Sequence, residues 1–557
     1  MLVMHTIMTV LNIDFLVDHI NDLRAINLIA LVLLPFFGGL AGFFLLVSSA
    51  SNMVSMFNNL KKSKSVKSIV IKQVVGGVVL LIFAMITESI TGYFGLLGNT
   101  FAHLNNPSLI NWHSIQYKWN HFETIHTIAW CIIINGIVQG LLSLKDNWKN
   151  TRDLIISYAL FAFMVILFTL PVWTIIGNLI PGYPYGTNPI TGTNLSTPWI
   201  GKDSFWHLLR APFLAMLAAP EEPLFPYLAV SFIGSIIGII ISQPKEKIKP
   251  NFPRNGFLAG LAMFVTGIFG LGGVFISIYN TVGPSEGIDA ILGLYQELFS
   301  HRDWTPDHPT FGAYTPHFSW LAQFLFLNGF SLMMVMFLFR LIEFRGKSKG
   351  IAKRTKIFRR FGIIALTNYN IQWIFYLMFA LVSFSLLRIP YQRMLWAGTF
   401  LTIFLTLAVF ILLLWLWEKI GYVGSFEWLI RTFINNTVSV RREQYKDMKW
   451  WQRGKLEVDR VFYNAKWIDI TASEMQEQSS DRSDSKFALT LSFVGMFSII
   501  FCLASIISLI LAILSFKREG KNKQNLTAMI LSIITLVAIL AVTIVLILLP
   551  IELLGLF

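Results

Sequence analysis

An all-α polytopic membrane bundle of about 11–12 spans is the fold this chain predicts. Hydrophobic residues make up 55% of the 557 and charged residues only 13%, about half the charged share of a soluble domain. Apolar stretches of about 18 residues or more, enough to cross roughly 30 Å of hydrocarbon, recur along its whole length. Basic residues collect in every second loop, as they do on the cytoplasmic side of a membrane.

The apolar runs lie at about 24–50, 68–92, 122–143, 153–178, 224–242, 255–280, 316–342, 361–387 and 393–417, with two more at 486–515 and 526–550. Residues 1–12 (MLVMHTIMTVLN) are apolar but short. They read as the end of a span whose beginning is missing, so the natural chain is expected to start upstream of Met1. No small-residue cleavage site follows a short apolar segment, so no cleaved signal peptide is expected.

Four basic loops set the topology: Lys61 to Lys67, Lys145 to Arg152, Lys245 to Arg254 and Arg345 to Arg360. These are expected in the cytoplasm. The loops at about 93–121, 178–223 and 281–315 are aromatic and poor in Lys and Arg. They face the other side, either solvated or folded back to cap a cavity, because non-helical backbone survives at membrane depth only when buried in protein or lining a cavity. The net charge of +14 follows from the basic loops, and points to anionic lipid contact rather than nucleic acid. Cys131 and Cys502 fall in apolar runs and read as packing residues.

Three units follow: residues 1–417 as a membrane bundle with its first span cut short, 418–485 as a cytoplasmic connector with interfacial helices, and 486–557 as a two-span hairpin. Strict alternation puts the hairpin's basic turn, Lys517 to Lys521, on the outer side, against the positive-inside rule. Either the hairpin inserts independently or a span is miscounted.

Four segments carry a family resemblance. Residues 361–376, FGIIALTNYNIQWIFY, are similar to a G-x-x-(A/S)-L-T-N-Y-x-x-Q span, and 424–431, GSFEWLIR, to a G-P-L-E-W-L-x-R end with Ser425 in place of Pro. Residues 35–56 and 223–238 resemble the second span and the F-P-x-L segment of the same family. Over roughly residues 1–435 the chain thus resembles the acyltransferase superfamily of membrane proteins, its YeiB-like branch (domain of unknown function 418) and the heparan-α-glucosaminide N-acetyltransferase-like proteins. The tail at 486–550 resembles a small two-span module appended to other proteins. The family's opening Arg-x-x-x-x-Asp-x-x-Arg-Gly signature is absent here; only its ending, near His5, aligns.

The resemblance implies transfer of an acyl group, acetyl first of all, from a cytoplasmic acyl-CoA donor to an acceptor on or across the cell membrane, with no tightly bound cofactor. Such transfer needs a base for the acceptor's proton, and histidine suits it. His5 aligns with the family position and otherwise reads as an interfacial histidine. Glu123 and His126 meet at i, i+3 and form either a carboxylate-oriented base or a helix cap; His121 precedes them off that face. Glu88 reads either as a partner for a histidine or arginine, or as interfacial. Glu221 and Glu222, between Pro220 and Pro223, mark a helix start or hold a cation such as Arg210. In 301–317, HRDWTPDHPTFGAYTPH, Asp303 and His317 are expected in a substrate-binding loop, with His301, Asp307 and His308 nearby; the spacing matches no compact metal motif. Asn368 and Gln372, four apart in one span, are expected to share a face, as helix glue or as ligand contacts. Glu427 and Arg431 form an i, i+4 pair of structural character. Lys353, Arg354, Lys356, Arg359 and Arg360 read as lipid contacts or as an acyl-CoA phosphate site. The alternatives to acyl transfer are a transporter or exporter of a polar or lipid-linked substrate, and a non-catalytic membrane scaffold.

Overall fold

The computed structural model describes residues 1–18, 25–62, 65–93, 95–110, 112, 115, 119, 122–179, 213–283, 286–298, 304–305, 312–344, 348–389, 391–438, 447–465, 467–468, 485, 488–489, 491–492 and 502–548. Among these residues all regular structure is helical; one isolated bridge pairs Leu11 with Met394. Eight helices are long and apolar enough to cross a membrane, and the chain is a multi-pass membrane protein. Shorter apolar helices lie at Ile374–Leu387, Ser508–Lys517 and Lys523–Ala538.

The chain opens with α1 (Leu2–Val10), α2 (Ile13–Asp18) and α3 (Ala25–Gly38). Then come α4 (Ala41–Leu60), α5 (Val66–Ile86) and α6 (Leu96–Ala102), with a π-helical turn, Thr87–Thr91, after α5. The central helices are α7 (Thr124–Leu142), α8 (Thr151–Leu179), α9 (Leu224–Ile241), α10 (Phe252–Val282), α11 (Gly287–Gln296) and α12 (Ser319–Ile342). The C-terminal half holds α13 (Ser348–Arg354), α14 (Lys356–Ile363), α15 (Ala365–Asn370), α16 (Ile374–Leu387), α17 (Trp396–Lys419) and α18 (Phe426–Thr437). The last two, α19 (Cys502–Glu519) and α20 (Lys523–Leu548), pack against each other.

Around α9 lie α4, α7 and α8, and α10 pairs with α12, which also meets α4. The main core includes Leu45, Tyr158, Trp173, Tyr227, Phe264 and Trp320, and Cys131 is buried within it as a packing residue. Lipid chains are as apolar as leucine, so close approach and polar contacts must supply helix association. At the α10–α12 crossing, a Cβ on Gly260 would sit 2.8 Å from the Met333 backbone nitrogen. A polar seam ties α4, α7, α8 and α9 together. Ser49 and Ser231 share a hydrogen bond of 2.6 Å, Asn135 donates to Ser231, and Ser235 donates to Asn135 Oδ1 at 3.1 Å. Tyr158 donates to Gln139 at 3.0 Å.

Two expected spans take a different form. The first apolar run does not stop near residue 50: the spanning stretch is Leu33–Leu60. Its polar residues bond back to their own helix, Asn59 donating to the Ser55 carbonyl at 2.9 Å, so the helix continues through them. The run at 361–387 is not one span; it is broken at Ile364 and again across Ile371–Trp373. In the tail, helical residues are described at 485, 488–489 and 491–492 and again from Cys502.

The aromatic loops poor in Lys and Arg fold back in part. In the first, α6 lies against α16, with Phe101 stacked on Trp373 at 4.5 Å. Buried Trp304 donates to the Glu297 carbonyl at 3.1 Å. The basic cluster is engaged by the chain itself. Lys356 pairs with Glu418 at 2.9 Å, Arg360 pairs with the same carboxylate, and Arg359 donates to the Phe462 carbonyl at 3.3 Å. Lys356 and Arg360 thus hold the end of α17, and Arg359 holds the segment around Phe462.

Substituting Gly260 by Ala is expected to destabilise the fold by about 1–3 kcal/mol through overpacking. Gly272→Ala, on the same helix with nothing within 4 Å of its Cβ, is expected to be neutral or slightly stabilising. Thermal unfolding of the two variants in detergent checks the contrast.

Candidate functional site

The break in the 361–387 segment is where the polar residues converge. Helix α15 restarts after Ile364 because α18 supplies partners for its first N–H groups. The Glu427 carboxylate accepts from Leu366 N at 2.7 Å and Thr367 N at 3.3 Å, and also from the Thr367 hydroxyl. Thr367 Oγ1 in return accepts from Phe426 N at 2.8 Å. Glu427 thus caps the broken helix, a structural role beyond the expected pairing with Arg431.

This short helix presents Tyr369 and Asn370 toward α5 and α7. Asn370, fully buried, accepts at Oδ1 from Thr91, and the Thr87 hydroxyl, which donates to the Phe83 carbonyl at 2.7 Å, lies 2.8 Å from the same oxygen; the two are the ends of the π-helical turn. That turn buries Glu88 at the end of α5. The Tyr369 hydroxyl donates to Glu123 Oε2 at 2.7 Å and lies 3.4 Å from Glu88 Oε1. A hydroxyl has one proton to give, so the shorter contact takes it.

His5 joins from α1. Backbone bonds fix that helix beside α17: Met394 N donates to Val10 O and Asn12 N to Met394 O, each at 2.9 Å. The imidazole stacks on Tyr93 with centroids 4.5 Å apart and meets the edge of Tyr369 at 6.3 Å. Its Nδ1 lies 2.9 Å from Gln372 Oε1. Gln372 sits in the second break, between α15 and α16.

The expected pair Glu123 and His126 does meet, in the form of the helix-cap alternative. The two residues form a capping box at the start of α7, each side chain facing the other's backbone N–H. His126 Nδ1 accepts from Glu123 N at 3.4 Å. In a neutral imidazole with Nδ1 accepting, the proton resides on Nε2, so His126 offers no lone pair for base catalysis.

Glu222 lies in the bend before α9 rather than in its first turn, and faces the start of α7. Its Oε2 accepts from the Thr124 hydroxyl at 2.8 Å, and its carbonyl accepts from Thr127 at 2.6 Å. Burial pushes its carboxyl up to about 7; the Thr124 hydrogen bond opposes this, and the Glu123 charge adds to it. Glu221 is half-buried beside it.

The structure thus gathers His5, Glu88, Glu123 and Gln372, with Glu222 adjoining. Asn368 does not share the face of Gln372: with the helix broken between them, Asn368 Nδ2 donates to the Phe361 carbonyl at 2.9 Å. His317 is exposed in the turn before α12. His121, Arg210 and Asp303 lie outside the described residues, as do His301, Asp307 and His308. Among the described residues no group of three His, Cys, Asp or Glu is placed to hold a metal ion. Sequence reasoning missed Tyr93, Tyr369, Asn370, Thr87 and Thr124. The segment around Asn368 and Gln372 carried a usable signal, but it was read with the period of an unbroken helix. Compared with known protein families, curated sequences and solved structures, the chain matches none.

A pH test follows from Glu222. Its folded carboxyl holds a proton to higher pH than the ordinary 4.5. Its contribution to stability is therefore full below pH 4.5 and is lost as pH rises through about 7. Glu222→Gln, which stays neutral, is expected to flatten that decline by a few kcal/mol, checked by unfolding in detergent between pH 4.5 and 8.

Proposed function

We propose that the protein transfers an acyl group, acetyl first of all, from a cytoplasmic acyl-CoA donor to a hydroxyl or amine acceptor outside the cytoplasm, working in the cell membrane. The observation that carries this reading is the geometry of His5: an imidazole stacked on Tyr93, tied at Nδ1 to Gln372, and edged by Tyr369. A held imidazole with one nitrogen engaged is what general-base attack on a thioester requires. Two ends of the site support the acceptor's side. Glu88 ends α5 and Glu123 opens α7, and the loops beyond both are poor in Lys and Arg. Buried carboxylates and tyrosine hydroxyls suit a polar, sugar-like acceptor.

A second reading has its own observation. The segment spanning α14 to α16 is interrupted twice, and transporters build substrate sites from such discontinuous helices. In that reading Glu88 and Glu123 exchange protons with the bulk, and no covalent bond is made.

The two readings separate in one assay. Purified protein in liposomes is expected to release thiol from acetyl-CoA when a sugar acceptor is present. His5→Ala is expected to lower that rate by about 10²–10⁴-fold. Acceptor flux without thiol release would favour transport; neither signal would favour a scaffold.

A further inference from the structure

Helix α18 runs beside the spanning helix α5. The Phe426 ring lies 5.3 Å from that of Phe83, and a Cβ on Gly76 would sit 3.3 Å from Ile434 Cδ1. At about 1.5 Å per residue, about 12 Å of α18 thus lies against about 10 Å of α5, in the opposite sense. Gly76 is itself about 15 Å along α5 from its Val66 end, well inside the spanning stretch. The polar side chains of α18 are spent on the protein. Glu427 caps α15, Trp428 Nε1 donates to the Trp451 carbonyl at 2.9 Å, and Asn435 donates to the Arg453 carbonyl at 2.6 Å. Arg431 and Glu427, one turn apart, both line a cavity of about 170 Å³. The face left over is apolar: Leu429 is 39% exposed and Phe433, one turn on, 50%. A helix bordering water carries the opposite pattern, with its polar side outward. On α5 itself Ile71, Val78 and Ile82 are exposed in the same way.

We infer that α18 is a half-membrane helix: it stands in the hydrocarbon beside α5, takes lipid acyl chains on Leu429 and Phe433, and screens the break at Ile364 from them. Non-helical backbone survives at that depth only when protein covers it. Helix α18 supplies the cover, since Glu427 accepts from Leu366 N at 2.7 Å and Phe426 N donates to Thr367 Oγ1 at 2.8 Å. Its own first turn is closed by Ser425, whose hydroxyl accepts from Trp428 N at 3.1 Å. The chain turns between α17 and α18 at Gly421 and Gly424, whose φ of 68° and 89° glycine adopts without strain. An arginine is costly beside acyl chains, and Arg431, two positions from both Leu429 and Phe433, is turned away from their face. The first helix of the 418–485 segment is therefore upright in the bilayer rather than flat on its surface. This placement holds whichever reaction the chain performs.

Full-length protein in liposomes of phosphatidylcholine and phosphatidylglycerol provides the test. Leu429→Cys, Phe433→Cys and Thr437→Cys, each in a Cys131→Ala, Cys502→Ala background, carry a nitroxide. Its collisions with oxygen, which concentrates among acyl chains, and with a water-soluble nickel chelate report depth. Oxygen is expected to dominate at Leu429 and Phe433, with depth falling by about 4–6 Å at each four-residue step toward Thr437. Thermal midpoints identify the variants that fold. Wild-type protein irradiated with a carbene reagent dissolved in the lipid needs no substitution, and is expected to carry adducts on Leu429 and Phe433. Equal depth at the three positions, the mark of a helix lying flat, would overturn the inference. Nickel dominating at Leu429, as for a helix in water, would do the same. Exclusion of both relaxers from Leu429 and Phe433, with no adducts in wild type, would show a face covered by protein and remove lipid as the partner.

Discussion

A peptide group left unpaired in hydrocarbon costs several kcal/mol, and the site depends on how one such cost is removed. The interruption at Ile364 frees backbone N–H groups inside what would otherwise be a single span. Glu427, from a helix that does not itself cross the membrane, accepts from Leu366 N and Thr367 N. Burial pushes the Glu427 carboxyl up, and the Thr367 hydroxyl and those backbone donors pull against it. The cap holds α15 in place after Ile364, and the second break at Ile371–Trp373 separates it from α16. Tyr369 and Asn370 at the end of α15 and Gln372 in the second break thereby meet the same polar cluster.

The same logic extends to the neighbours. The π-helical turn Thr87–Thr91 widens the end of α5 and lets Thr87 and Thr91 both reach Asn370. Such turns are rare and gather at functional sites, because they redirect side chains without breaking the helix. The capping box of α7 brings Glu123 to Tyr369 while engaging His126 at the helix end. Apart from His5, within α1, each polar residue of the cluster therefore comes from a helix end or a helix break, where backbone irregularity is already accommodated.

At the start of α14 the chain organises itself with charge. Lys356 and Arg360 converge on Glu418, and the Arg359 guanidinium lies 5.3 Å from the ring centres of both Phe462 and Trp467. The first two contacts hold the end of α17 against α14, the Arg359 contacts hold the segment around Phe462 and Trp467 there, and α14 leads directly into the broken segment that carries the site.

Composition and the spacing of basic loops were enough to establish a helical, multi-pass membrane protein, because a bilayer imposes length and apolarity on every crossing segment regardless of its neighbours. The cluster Glu123–His126 was legible as an i, i+3 contact for the same local reason. What the residues alone could not decide was which polar groups meet. Asn368 and Gln372 share a face only if the helix between them is unbroken, and it is broken at Ile371–Trp373, while the earlier break at Ile364 is capped by Glu427, some sixty residues away in sequence. His5 reaches Gln372 across a separation of 367 residues. Such meetings are decided by tertiary packing, because satisfying buried polar atoms is a property of the whole bundle and not of any one segment.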